Sequence, residues 1–242
     1  MTAQNFQILN AEKHQQLGVI TTYSPQLGDS VMYSPTFPME FRDIQSCYPI
    51  FFCKDPDSGQ FYPAALFGLE KGENLFLTDS GWDASYIPMM VRRHPFLIGF
   101  QNDESYPEGK KPVVSIDLDH PRVSNVGGEI LFSENGGSSD YLKQSMVLLE
   151  SIHQGHEQNK VLIEMLLEHS LLEEFAVEVT LRDGSLKRLS GFYTIAEENL
   201  YALSGDVLGA LNEKGFLQAI FMAVASLSRL RPLVEKKTVI IS

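Results

Sequence analysis

The chain has 242 residues, 43% hydrophobic and 21% charged, an ordinary globular balance with enough length to bury a core without metal or disulfide support. Against 31 Asp and Glu stand only 19 Lys and Arg, so the formal net charge is −12. That balance argues against nucleic acid or an anionic lipid surface as the main partner, because both need dense Lys/Arg surface.

The opening segment, MTAQNFQILNAEKHQQLG, has neither the basic nor the apolar region of a signal peptide. Two cysteines, Cys47 and Cys53, are too few for a disulfide framework, so both are expected as reduced core thiols and the protein is expected in the cytoplasm. Residues 1–38 are turn-rich, through Tyr23-Ser24-Pro25, Gly28-Asp29 and Ser34-Pro35. A short helix is predicted over Phe37–Ile44. Ile50–Cys53 reads as a buried strand, Asp55–Gly59 as a turn, and Gln60–Leu69 as the returning strand of a hairpin. Leu75-Phe76-Leu77 is expected to extend that sheet. A helix is predicted from Trp82 or Pro88 to Arg93, stopped by Pro95. Phe96–Phe100 and Val113–Leu118 read as further strands.

Residues 133–140 are polar and Gly-rich and make the best linker. A helical region follows from Tyr141 to Leu172, with Leu142, Met146, Leu149 and Ile152 on one face. Its middle, residues 153–160, has no apolar residue, and Gly155 predicts a bend or break. Ala176–Leu181 and Leu186–Ile195 form a second predicted hairpin around Asp183-Gly184. Helices are predicted over Glu197–Leu203, Asp206–Asn212 and Phe216–Leu230, the last ended by Pro232. Thr238–Ile241 is expected as an edge strand. The longest apolar stretch, Phe216–Leu227, is about half the ~20 residues of a membrane helix, so no span is expected.

These elements predict an α+β fold, an antiparallel or mixed sheet of hairpins packed by helices. A β-rich half, residues 1–132, and a helix-rich half with a hairpin, residues 133–242, are expected to form one compact unit. Glu73-Asn74-Leu75-Phe76 after the first hairpin echoes Glu198-Asn199-Leu200-Tyr201 after the second, which is either a duplicated hairpin-plus-helix unit or coincidence.

Several blocks carry a family resemblance. Tyr48–Phe52, Phe61–Leu69, Gly72–Leu77, Trp82–Pro88 and Arg92–Phe96 make the first group. Gly191–Ile195, Leu200–Leu203 and Gly215–Leu217 leading to Ser226-Leu227 make the second, and Asn10–His14 joins them. In this order and spacing they resemble the bacterial SapC-like family over nearly the whole chain. The family takes its name from a protein associated with a bacterial surface layer, and it is distinct from the peptide-transport permease of the same name. The resemblance implies an accessory role in a modification or TonB-linked uptake system, beside halogenase-like or oxygenase-like enzymes. It implies no catalytic residues.

Candidate sites follow from residue chemistry. Arg92-Arg93-His94 is the compact basic cluster of the first half and can hold a carboxylate or phosphate. Trp82, Tyr86 and Met89 beside it can frame a groove for a protein or peptide. The alternative is a helix end decorated with cations. Glu150-Ser151-Ile152-His153 has the Glu-x-x-His spacing of di-iron helices, and His156 and Glu157 can add ligands; the alternative is a solvated polar bend. Asp117-Leu118-Asp119-His120 is either a metal loop or an Asp-built turn. His14 is expected as a surface or packing residue. No nucleophile elbow, Walker loop or dinucleotide fingerprint is present, so no cofactor is expected. The residues favour a non-catalytic binding protein. A metal-dependent oxygenase or hydrolase and a surface-layer component are the alternatives.

Overall fold

Four consecutive residues, Ile50-Phe51-Phe52-Cys53, are all buried, which marks a strand covered on both faces rather than one with a wet side. In the computed structural model, which describes residues 5–106, 109–181 and 184–240 and the side chains of all but 238–240, this strand is the centre of the largest sheet. The chain divides into two compact units, each made of two segments. Met1–Asp29 with Met89–Gln154 form the first, and Ser30–Pro88 with Gly155–Ser242 form the second. All strand pairs among the described residues are antiparallel, so the fold is α+β.

The first unit holds a three-stranded sheet in the order Phe6–Ile8, Lys110–Asp117, Phe96–Asn102. The two long strands pair Phe96 with Ile116, Ile98 with Val114 and Phe100 with Pro112, so these six side chains share one face. Val19, Phe96, Ile116, Leu131, Leu142 and Leu149 form its core, with Leu142 and Leu149 supplied by the start of the helix Asp140–Glu168.

The second unit holds a five-stranded sheet in the order Leu172–Thr180, Leu186–Ile195, Ile50–Lys54, Phe61–Leu66, Tyr33–Pro35. Both predicted hairpins are present and lie side by side, with Phe192 opposite Cys53. Asp55 builds the first turn, its Oδ1 accepting from the Asp57 and Ser58 backbone N–H groups and the Ser58 hydroxyl. At the second turn, Asp183 lies outside the described residues. Helix Phe216–Ser226 packs on helix Phe41–Cys47 and on the central strand. Ser226 is fully buried there, and its hydroxyl accepts from Ile50 N at 2.8 Å while donating to Ala223 O at 2.6 Å.

Several expectations are corrected. Leu77–Thr78 pairs with Gly81–Trp82 in a separate ribbon instead of extending the large sheet. The predicted helix before Pro95 shrinks to Met89–Arg92, because Trp82 is taken by that ribbon. Pro232 does not end a helix but sits in the first turn of another, Leu230–Ile240, where its missing N–H costs nothing. Thr238 to Ile240 are therefore helical rather than an edge strand, and Ile241 lies outside the described residues. The two echoed tetrapeptides differ in structure: 73–76 is loop and turn, whereas 198–201 is helix. Phe216 to Lys237 passes as a membrane-crossing helix by length and composition, with a mean hydropathy of 1.2. Within its unit, however, Phe216, Ala219, Ile220 and Ala223 are buried as one face.

Gly155 does not break the helix Asp140–Glu168. A Cβ at this glycine would lie 2.5 Å from Phe37 Cγ and 2.7 Å from its Cδ1, so the absent side chain lets the helix lie against a fully buried phenylalanine. Asn159, one turn on, donates Nδ2 to Thr36 O at 2.9 Å beside the same contact. Gly155→Ala is expected to destabilise the protein by about 1–3 kcal/mol in urea unfolding, although alanine is the better helix former by ~1 kcal/mol. In a Phe37→Leu background the same substitution should cost less. An equal cost in both backgrounds would remove this explanation.

Candidate functional site

The residues singled out in the sequence divide between the two units. Trp82 and Tyr86 belong to the second. Trp82 Nε1 donates to Tyr48 Oη at 2.7 Å, Tyr48 Oη donates to Tyr86 O at 2.5 Å, and Tyr86 Oη donates to Glu40 Oε1 at 2.8 Å. The Thr36 hydroxyl reaches the other oxygen, Glu40 Oε2, at 3.1 Å. Glu40 is only 2% exposed, so these hydroxyls are what makes its burial tolerable. Burial holds the Tyr48 phenol well above its ordinary range, which keeps it a donor. This chain of groups ties the 3₁₀ turn Pro38–Glu40, the end of helix Phe41–Cys47 and the ribbon together as framework.

Met89, Arg92, Arg93 and His94 belong to the first unit. Met89 is buried. Arg93 is half-buried, donating Nη1 to Phe96 O at 2.8 Å, and its Nε is buried without a hydrogen-bond partner among the described residues. Arg92 is exposed. The His94 ring stacks on His120 with centroids 5.0 Å apart and an interplanar angle of 19°. Burial, reinforced by Arg93, His120 and Arg122, pushes the His94 imidazole down to about 3, so it is neutral at physiological pH. Burial and the nearby Arg122 also lower His120, whose Nδ1 accepts from Arg122 N at 3.2 Å.

Arg122 anchors this corner. It is 3% exposed, and its Nη2 meets both oxygens of Asp29 at 2.7 and 2.8 Å. Its Nη1 donates to Ile20 O and Thr22 O, and its guanidinium carbon lies 4.9 Å from the centroid of the Tyr23 ring. The pair joins residues 93 positions apart, so no local pattern in the sequence announces it.

The first unit's described residues line a larger and a smaller cavity. The larger, about 660 Å³, is an apolar cleft between the sheet and the long helix. Ile98, Phe100, Pro112 and Val114 line it from the sheet, and Leu142, Met146 and Leu149 from the helix. Lys110, Glu150 and His153 are its charged and imidazole groups. The smaller, about 190 Å³, is polar, and Arg92, His94, Arg122, Tyr23, Tyr141 and Gln144 line it. Its aromatic lining is thus Tyr23 and Tyr141.

The proposed metal ligands do not form one group. Glu150 and His153 face the apolar cleft, whereas His156 packs edge-on against Phe37 with centroids 4.9 Å apart, and Glu157 pairs with Lys160 at 2.6 Å. Among the described residues, no three His, Cys, Asp or Glu side chains stand close enough to hold a metal ion. The Asp117 loop is a turn, with Asp117 Oδ1 accepting from Asp119 N. His14 is buried, its Nδ1 accepting from Asn10 N, and burial with Lys13 nearby lowers it.

The cysteines differ from expectation and from each other. Cys53 is a core thiol that burial pushes up to about 12. Cys47 is half-buried; burial alone would raise it, but the Ser46 and Ser85 hydroxyls, 3.3 and 3.1 Å from its Sγ, leave it below the ordinary thiol value. Iodoacetamide at pH 8 should therefore modify Cys47 and spare Cys53, read by peptide mass spectrometry; equal labelling would contradict this placement. Asp29→Asn, which strands the buried Arg122 charge, should cost about 3–5 kcal/mol in urea unfolding. Adding Arg122→Met should recover part of that loss, and strict additivity would show that the two residues do not act as a pair.

Comparison with known proteins gives one result. No curated protein and no solved structure matches the chain. A family model described as SapC matches residues 9–233, nearly its whole length. The chain belongs to the SapC family.

Proposed function

We propose that this SapC-family chain is a non-catalytic binding protein, acting in the cytoplasm, that holds an apolar segment of a protein or peptide partner in the cleft of its first unit. The carrying observation is a decay of cover along one face of a hairpin. Phe96 is 1% exposed, Ile98 is half-buried, and Phe100, two residues further on, is 58% exposed. On the helix side Leu142 and Leu149 are buried while Met146 between them is 46% exposed. The apolar face therefore outruns its own core and ends in solvent, which singles it out from scattered surface hydrophobics.

Size and composition support this reading. About 660 Å³ is within the range of ligand clefts, and a flexible methionine beside an aromatic ring suits a partner surface. Lys110, Glu150 and His153 supply polar contacts with which a peptide backbone or flanking side chain can be oriented. In this role the bound segment is presented to a modifying enzyme, halogenase-like or oxygenase-like, or to a TonB-linked uptake system.

The test compares the wild-type chain with Phe100→Glu/Met146→Glu, two exposed sites where folding should survive and Tm should move by no more than about 2–4 °C. Both proteins are used to isolate partners from the producing bacterium, and recovered chains are identified by mass spectrometry. A partner held by the wild type and lost from the folded double variant is expected. The same partner on both, or turnover of a substrate by the purified chain alone, would overturn the proposal.

A further inference from the structure

The small cavity reverses the charge balance of the chain around it. The protein as a whole carries a formal charge of −12, yet among the described residues two arginines and no carboxylate line this cavity. The remaining polar lining consists of hydroxyls, an amide and an imidazole: Thr21, Tyr23, Tyr141, Ser145, Gln144 and His94. The two arginines are not equivalent. Arg122 is neutralised by Asp29 and saturated further by the carbonyls of Ile20 and Thr22. Arg92 is exposed and makes no ion pair among the described residues, so its charge is the one left for a ligand.

The wall is also built to stay in place. Arg122 is buried and fixed on four acceptor contacts, with Tyr23 against its guanidinium. His94 is stacked on His120, and Tyr141, Gln144 and Ser145 project from one stretch of the long helix. Anchored walls beside an uncompensated guanidinium lower the reordering cost of binding an anion.

We infer that this cavity is a binding site for a small oxyanion, a carboxylate or a phosphate, held by the Arg92 guanidinium with the Gln144 amide and neighbouring hydroxyls. A planar guanidinium matches two oxygens of either group at once, and 190 Å³ admits an ion or a small metabolite but not a folded partner. The neutral state of His94 leaves it one N–H donor and one acceptor in the wall, without a second full charge. This site stands apart from the apolar cleft and does not depend on the reading given to it.

Isothermal titration of the full chain at pH 7.5 and constant ionic strength tests the inference, with acetate and inorganic phosphate as separate probes. Saturable 1:1 binding of at least one is expected, with Kd on the order of 1 mM. Preference for acetate assigns the carboxylate class, and preference for phosphate the phosphate class. Arg92→Gln should weaken binding by at least about tenfold. Gln144→Trp, which fills the cavity from an exposed helix position without touching a charge, should abolish it. Arg188→Gln, an exposed arginine on a strand of the other unit, should leave it unchanged. Failure of both probes to saturate by about 10 mM would overturn the site. So would equal losses in the Arg92 and Arg188 variants, or full binding in Gln144→Trp.

Discussion

The geometry of the first unit depends on the period of one helix. From Asp140 to Gln154, a repeat of 3.6 residues per turn sends Leu142, Met146, Leu149 and His153 to one side and Tyr141, Gln144, Ser145 and Leu148 to another. The first set lies over the apolar face of a hairpin, with Leu142 and Leu149 buried and Met146 between them exposed at the cleft. The second closes a polar cavity against the loop after Val19 and the turn carrying Arg122. A shift of one residue in this helix would bring Tyr141, Ser145 and Leu148 to the cleft in place of Leu142, Met146 and Leu149. The site therefore follows from secondary-structure phase more than from any unusual residue.

Buried polar groups fix the parts that the helix alone does not. Asp29 and Arg122 join two turns that have little apolar surface of their own, and the pair is retained although ion pairs of this depth rarely add net stability over an apolar replacement. Glu40 plays a comparable part in the second unit, where the Thr36 and Tyr86 hydroxyls donate to its two carboxylate oxygens. Ser226 does so between a helix and the central strand. In each case a polar side chain specifies geometry at a place where burial would otherwise be costly.

Local pattern revealed the hairpins and most of the helices. Alternation and turn residues mark Ile50–Lys54 with Phe61–Leu66, and the strand Leu186–Ile195 is legible to its ends. Three local signals were misread, and only the first was overruled by a neighbour distant in sequence. Gly155 signals a break until Phe37 is placed against it. Trp82 signals a helix start until Leu77 pairs with it. Pro232 signals a stop when, at the beginning of a new helix, it is a tolerated start. Arg92 and His94 were legible as a basic cluster with anion chemistry. Their companions Tyr23, Arg122, Tyr141 and Gln144 were not, because they come from three separate segments and none belongs to a motif. Phe100 was legible as a strand residue, but its exposure depends on how helix residues distant in sequence pack beside it, and no sequence window contains both.

Site-specific photocrosslinking in the producing bacterium tests the binding account most directly. A photoreactive amino acid is placed at Phe100 in the cleft and, separately, at Phe221, an exposed aromatic position of the second unit. The account predicts one defined adduct from position 100, mapped to an apolar segment of the partner, and none from position 221. Adducts of the same partner from both positions, or none from position 100 while that partner still co-purifies, would contradict it.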